Sequence, residues 1–311
     1  MKSYQQVYNI LVSERDYLSG EKIAEILNIS RTAVWKAIQR LQQEGLEIDS
    51  IKNRGYKLIH GDLILPPEIE KKSPVVVQFK ASTKSTQTDA KKAMEAGSTG
   101  DTLYLSTSQT AGRGRFQRPY FSPPQGGIYM SLHIQPKLPY DQLPAYTLLV
   151  AGAIYKAIKN LSLIDVEIKW VNDIYLQQKK IAGILTEAIT SVETGLVTDV
   201  IIGVGINFSI PEFPEDLRGK AGSLFPTNTP ITRNDLIAEI WRCFYETDYE
   251  ELLHLYKQHS LVLGKEVSFK QGEEILSGKA TSISDKGELQ IELANGKKIW
   301  LNSGEISLTK W

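Results

Sequence analysis

Cysteine is almost missing from this sequence. Cys243 stands alone, which excludes an intrachain disulfide and any zinc or iron–sulfur site built on several thiolates. Its scarcity fits a reducing compartment. A long apolar run is absent as well: nowhere do about 18 apolar residues follow one another, so no membrane span is expected. The opening Met1-Lys2-Ser3-Tyr4-Gln5 lacks the core of a signal peptide, and the expectation is a cytoplasmic protein. Excess charge of one sign is also missing. The 36 Lys and Arg balance the 36 Asp and Glu, so any attraction to nucleic acid must come from a local patch. His60, His133, His254 and His259 show no metal-ligand spacing such as HExxH. What is present is 41% apolar residues in a chain of 311. That is enough for a real core and, at about 150 residues per domain, for two or three domains.

Three textures follow one another. Residues 1–65 read as helices ending in a hairpin. Ile23, Ala24 and Leu27 share one helical face, and Ser30 is placed to cap a following helix in which Val34, Ala37, Ile38 and Leu41 point inward. Two short alternating runs, Leu46–Ile51 and Tyr56–Ile59, flank Lys52-Asn53-Arg54-Gly55 and predict a hairpin. Pro66-Pro67 marks a linker. Residues 66–262 mix strands and helices, with Ser85 or Thr86 capping a helix that Gly97 stops. Predicted helices over Gln142–Lys159 and Thr232–His259 join strands over 103–107, 128–134, 167–176, 181–189 and 200–208. This pattern suggests a mixed sheet with helices on one side. Residues 263–311 carry short strands punctuated by turns at Asp285-Lys286-Gly287 and Asn295-Gly296, the spacing of a small SH3-like barrel. The fold class expected is α+β and multidomain.

Helix, turn, helix and basic hairpin is the layout of a winged helix-turn-helix. Arg31, Thr32, Trp35, Lys36 and Arg40 lie on the outer face of the second helix, and Lys52, Arg54 and Lys57 on the wing. Between Ser30 and Lys57 six basic residues face three acidic ones, the local charge that phosphate contacts need. The same pattern also suits a solvated helix face on a scaffold domain.

The second concentration of chemistry is Gln109-Thr110-Ala111-Gly112-Arg113-Gly114-Arg115, within a stretch from Thr102 to Tyr140 that has no acidic residue. Glycines let backbone bend close to a ligand, and arginines neutralise phosphate or carboxylate. No Walker A sequence is present, and Gln117 stands where a dinucleotide fingerprint needs its third glycine. Alone, such a loop could be mere solvated surface. Lys180 opens an apolar strand after Lys169-Trp170-Val171-Asn172-Asp173, either as a charge beside a ligand or as an edge charge against aggregation. Gly203 and Gly205 in one strand imply close approach or a bulge.

Taken in order, these motifs resemble the biotin protein ligases, specifically the bifunctional class that also represses biotin operons. The resemblance rests on Ser85-Thr86, Gln109 to Arg115, Ser122-Pro123, Lys169-Trp170, Asn172-Asp173, Lys180 to Leu185 and Gly203 to Asn207. It implies a winged helix-turn-helix, a class II synthetase-like central domain and an SH3-like end. It also implies two half-reactions: ATP and biotin give biotinyl-5′-AMP, with Mg²⁺ on the polyphosphate, and a lysine of a biotin carboxyl-carrier domain, as in acetyl-CoA carboxylase, then takes the biotin.

By the same resemblance Ser85, Thr86, Gln87, Gln109, Gly112, Arg113 and Lys180 belong to the biotin pocket, and Lys180, Arg115 and Arg118 act on the reacting groups. Arg115, Arg118, Lys169, Asn172, Asp173 and Asn207 fall to the nucleotide. Biotinyl-5′-AMP is the implied corepressor, operator DNA the implied partner, and a homodimer the implied assembly. Departures from the family pattern are Gln87 for Asn, Gln117 for Gly, Tyr120 for Trp and Val171 for Pro. A sensor without enzymatic activity and a lipoate-type ligase are the competing readings.

Overall fold

The computed structural model describes residues 2–308 apart from 15, 228, 272, 303 and 305. Packing divides the chain into two compact units, Met1–Leu65 with Thr227–Asn234, and Pro66–Pro226 with Asp235–Trp311. Among the described residues no helix is long and apolar enough to cross a membrane.

The first unit contains α1 (Ser3–Ser13), α2 (Gly20–Leu27), α3 (Arg31–Gln43) and the antiparallel pair β1 (Glu47–Ile51) and β2 (Gly55–His60). Ser19 caps α2 and Ser30 caps α3, each accepting a backbone N–H three residues on. Val34, Ala37, Ile38 and Leu41 meet Val7, Leu11 and Ile23 in one apolar core, as the helical spacing requires. The late segment of this unit is tied in by ion pairing. The Arg233 guanidinium donates to Asp62 at 2.5 Å and to the Asp62 carbonyl at 2.9 Å, and Asn234 bonds Leu63 and Leu65 backbone.

In the second unit α4 (Pro66–Glu70) replaces the expected linker, because proline suits a helix's first turn, where its missing N–H has no partner to lose. Then follow β3 (Val76–Lys80), α5 (Thr86–Glu95), β4 (Thr102–Ser106), β5 (Gly127–Ile134), β6 (Leu138–Pro139), α6 (Tyr146–Ser162), β7 (Glu167–Lys169), β8 (Asp173–Leu176), β9 (Lys179–Thr190) and β10 (Leu196–Asn207). The described strands form an eight-stranded sheet of order β3-β4-β5-β10-β9-β8-β7, with β6 on β10. Only β3–β4 is parallel, so the sheet is mixed.

Helices cover both faces, not one. The α5 residue Lys91 reaches Glu187 on β9, whereas the α6 residue Thr147 bonds Thr186 beside it, and neighbouring strand residues point to opposite faces. The helical stretch expected over 232–259 is made of two helices, α7 (Arg233–Glu246) and α8 (Tyr249–Gln258), with Asp248 at the non-helical N-cap of the second. The helix expected from Gln142 starts at Tyr146.

The chain closes with β11 (Glu266–Gln271), β12 (Glu274–Ile283), β13 (Leu289–Leu293), β14 (Lys298–Leu301) and β15 (Ile306–Leu308), an antiparallel sheet of order β14-β13-β12-β11-β15. Residues 309–311 of the expected third domain lie outside the described residues. This sheet joins its own unit through bonds from Trp170 Nε1 to the Gly287 carbonyl (2.8 Å) and from Lys257 to Asp285 (2.6 Å).

Candidate functional site

A cavity of about 420 Å³ opens on the central sheet of the second unit. One wall is the start of α5. Ser85 caps that helix through the Thr88 N–H, which turns Thr86 and Gln87 toward the sheet. Gln109 braces them: its Oε1 accepts from the Thr86 N–H at 2.8 Å, and its Nε2 donates to Ser122 Oγ at 3.2 Å. Gly112 is not a wall residue. A Cβ there would sit 2.9 Å from both Gln109 Nε2 and Ser122 Oγ, so the glycine lets the loop close over this bridge.

The Gly/Arg loop folds back on itself. Gly114 N–H donates to Arg118 O (2.9 Å), Tyr120 N–H to Gly112 O (3.0 Å), and Arg113 Nη1 to Gln117 O (3.1 Å). Its tip places Phe116 and Gln117 at φ 55° and 59°, a left-handed conformation that costs a non-glycine residue about 1 kcal/mol. Gln117, which departs from the glycine that the resemblance implies, carries this cost. Arg115 is anchored by Nη1 to Asn172 Oδ1 (3.2 Å) and to the Gly304 carbonyl (3.3 Å), with its guanidinium 5.1 Å from the Phe116 ring centre. Arg118 borders the same cavity, 5.8 Å from that ring.

Lys180 and Asp173 form the floor. They face each other from adjacent strands, Nζ to Oδ1 2.7 Å, both partly exposed to the cavity. Gly183 makes room for them, since a Cβ there would meet Lys180 Nζ at 3.3 Å. Asn172 is locked to β9 by reciprocal bonds with the Ile184 backbone, each 2.9 Å. Lys169 lies over the Tyr175 ring at 5.5 Å, and burial pushes the Tyr175 hydroxyl up to about 12, so it stays protonated.

Asn207, assigned to the nucleotide by resemblance, does not line the cavity. It is buried and donates to the Lys180 and Gly222 carbonyls, bracing the backbone that carries Lys180. The paired glycines of β10 mark no bulge, for the register runs unbroken from Val200 to Ile206. They admit side chains instead: a Cβ on Gly203 would stand 2.6 Å from Gln87 Oε1, and one on Gly205 2.5 Å from the Tyr120 ring. The Trp170–Val171 peptide is cis.

The cavity therefore gathers Ser85, Thr86, Gln87, Gln109, Arg113, Arg115, Arg118, Lys169, Asn172, Asp173 and Lys180, and leaves out Gly112 and Asn207. Sequence reasoning missed Ser131, hidden in a fully buried strand, and Gly304, Ile306 and Ser307 from the terminal sheet. Nothing local to those residues signals a pocket.

In the first unit Arg31, Thr32, Trp35, Lys36 and Arg40 lie exposed along α3, and Lys52 and Arg54 at the wing. Trp35 is 53% exposed. Arg40 pairs with Glu44. Arg54 stacks on the Tyr17 ring at 4.5 Å and lies 3.5 Å from Asp16.

Residues 79–207 match the biotin/lipoate A/B protein ligase family, residues 4–57 an HTH domain, and residues 262–309 the biotin protein ligase C-terminal domain. The bifunctional ligase/repressor BirA of Bacillus spizizenii is 35% identical, the match covering 94% of each chain. That of Escherichia coli is 28% identical over 96% of this chain and 95% of its own. The structure of biotin protein ligase from Aquifex aeolicus in complex with biotin and ATP superposes with a TM-score of 0.63 at 28% identity, covering 76% of this chain and 99% of that one. With a relative 35% identical over 94% of its length, this chain belongs to the bifunctional ligase/repressor family of biotin protein ligases.

Proposed function

We propose that this chain joins biotin to ATP as biotinyl-5′-AMP and passes the biotin to a lysine of a biotin carboxyl-carrier domain, as in acetyl-CoA carboxylase. Its winged helix represses biotin genes when the adenylate is bound. The observation that carries this reading is the meeting of the Gly/Arg loop with the Lys180–Asp173 pair on one cavity.

In the first step a carboxylate oxygen of biotin bonds the α-phosphorus of ATP, the bond to the bridging oxygen breaks, and pyrophosphate leaves. Both reactants are anions, so the site must neutralise and align them. Asp173 holds the Lys180 ammonium in position until those anions arrive, and Lys180 then bridges carboxylate and α-phosphate. Arg115 and Arg118 order the loop over the adenylate and shield its anhydride from water. In the second step the neutral lysine amine of the carrier attacks the anhydride carbonyl carbon, the bond from that carbon to the phosphate oxygen breaks so that AMP leaves, and the amine's extra proton passes to water.

Ser85, Thr86, Gln87, Gln109 and Arg113 hold the biotin, while Lys169, Asn172 and Asp173 border the nucleotide. Mg²⁺ would reach the site on the polyphosphate and neutralise part of its charge. The residues suit such a guest, since the Asp173 carboxylate borders the cavity and Mg²⁺ commonly relies on one or two carboxylates plus substrate phosphates. Asp173 would be the protein's carboxylate.

The exposed face of α3 enters the major groove while Lys52 and Arg54 reach phosphate. A homodimer doubles that reach on a palindromic operator, and adenylate-ordered loops favour the pairing. Operator and acceptor both place the chain in the cytoplasm.

The test is mass spectrometry of a carrier domain incubated with this protein, ATP and biotin, alongside operator affinity with and without biotin plus ATP. Biotinylation and tighter operator binding are expected. Failure to release pyrophosphate with biotin, or a preference for lipoate, overturns the ligase reading. Equal operator affinities overturn the corepressor reading.

A further inference from the structure

From the cavity wall a chain of hydrogen bonds runs away from the ligand space to a fixed charge. Thr86 Oγ1 lies 2.8 Å from Ser131 Oγ, Ser131 Oγ donates to Gln87 Oε1 at 2.9 Å, and Gln87 Nε2 donates to Glu187 Oε2 at 2.8 Å. Nε2 also donates to the Ile201 carbonyl at 3.2 Å, and Lys91 holds the other Glu187 oxygen at 2.9 Å. An amide side chain can bond in either of two flipped orientations, but an ionised carboxylate only accepts. Glu187 is the nearest and the only charged one of three acceptors facing this nitrogen, the others being the Ile201 and Leu185 carbonyls, and it pulls the Gln87 nitrogen toward β9 and leaves its oxygen toward Ser131.

The consequence propagates. A hydroxyl carries one proton. Ser131 has given its proton to Gln87, so the single Thr86 hydroxyl proton goes to Ser131 at 2.8 Å or to Gln109 Oε1 at 3.2 Å, an oxygen that the Thr86 backbone N–H also serves. Lone pairs of Thr86 Oγ1 are then left over, and the wall accepts hydrogen bonds. With the amide flipped, Ser131 would donate to Thr86, the Thr86 proton would turn to Gln109 Oε1, and the wall would lose one accepting lone pair.

We infer that Glu187 is a positioning residue for substrate recognition: touching no substrate, it sets the direction of this relay so that the wall accepts from ligand N–H groups such as those of a ureido ring. Lys91 holds Glu187 in place from the next turn of α5. Gly203 is part of the device, since any side chain there would displace Gln87 Oε1.

The inference rests on the biotin reading above, so the parent protein is measured first, by calorimetry with biotin alone and by pyrophosphate release with ATP. Glu187→Ala should weaken biotin binding about tenfold, the loss of one charge-assisted hydrogen bond. Glu187→Gln, whose amide can satisfy either flip, should fall between parent and alanine variant. The KM for ATP should stay within about twofold, and the melting point within about 3 °C. Gln87→Ala should weaken biotin binding at least as much as Glu187→Ala, and the double variant should be no worse than Gln87→Ala alone, as for residues acting through one another. Biotin binding by Glu187→Ala equal to the parent's, or additive losses in the double variant, overturns the inference. So does a shared loss of biotin binding, ATP KM and melting point, which marks Glu187 as merely structural. A parent that does not bind biotin overturns the ligase reading and this inference together.

Discussion

The wing of the first unit and the cavity of the second both display basic side chains beside an acidic partner, yet the two pairings differ in kind. Arg54 and Asp16 stand 3.5 Å apart, with side chains 58% and 77% exposed, while Lys180 and Asp173 stand 2.7 Å apart at 34% and 24%. Water and salt screen the first pair, so its cation is free to exchange partners. The second pair is partly withdrawn from water, and neighbouring strands fix its geometry. An exposed cation suits a phosphate backbone met in many registers. A held one suits a single reaction geometry.

If that contrast is right, loss of the held cation should cost most. Lys180→Ala is expected to slow adenylate formation by about 10²–10³ with the circular dichroism spectrum unchanged. Pyrophosphate release at the parental rate would refute this. Burial without exposure to the cavity should show up in stability instead. His133 is fully buried with its Nε2 2.7 Å from Asp199, and its Nδ1 has no partner among the described residues. Asp199→Ala should therefore cost about 2–3 kcal/mol in denaturant melts.

The same pair sets a pH dependence. Burial works against the Asp199 carboxylate, but hydrogen bonds from Gln135 and His133 outweigh it and lower its pKa. A lowered folded-state value gives stability that is complete above the ordinary carboxylate range near pH 4 and fades as pH falls through the lowered value. Parent and Asp199→Ala melts should converge in that acid window. A gap between them that persists there would contradict the assignment.

Asp173→Asn removes the anchor but not the cation, and should slow adenylate formation about tenfold through lost alignment. Arg54→Ala should weaken operator binding a few-fold and reduce the salt slope by about one, leaving ligation untouched. The smallest change belongs to the exposed acid: Asp16→Asn should alter operator affinity by less than about threefold, upward if at all. An effect as large as that of Asp173→Asn would erase the distinction between the two regions.

Much of the fold was legible because it is written in short-range spacing. The inward face of α3, the caps at Ser30 and Ser85, and the hairpin around Asn53 depend on residues within a turn or two of one another. The Pro66-Pro67 pair reads as a linker until a helix is seen to begin there, and the helical pattern over 232–259 does not by itself show the break at Asp248. In the site the Gly/Arg loop and Lys180 were legible by motif. Asn207 lies outside the cavity lining, a placement that motif membership does not reveal because it does not say which way a strand residue points.

By itself, the amino-acid sequence determined the family, the winged-helix pattern and the charges that chemistry on anions requires, since these are carried by residue type at fixed intervals. Tertiary structure alone decided which of those residues share a cavity. Gln87 on α5, Ser131 on β5 and Glu187 on β9 lie up to 100 positions apart, and Gly304 joins Arg115 from 189 positions away. No local propensity relates such residues. Their meeting is fixed by strand order and by the alternation that sends one strand residue to one face of a sheet and its neighbour to the other.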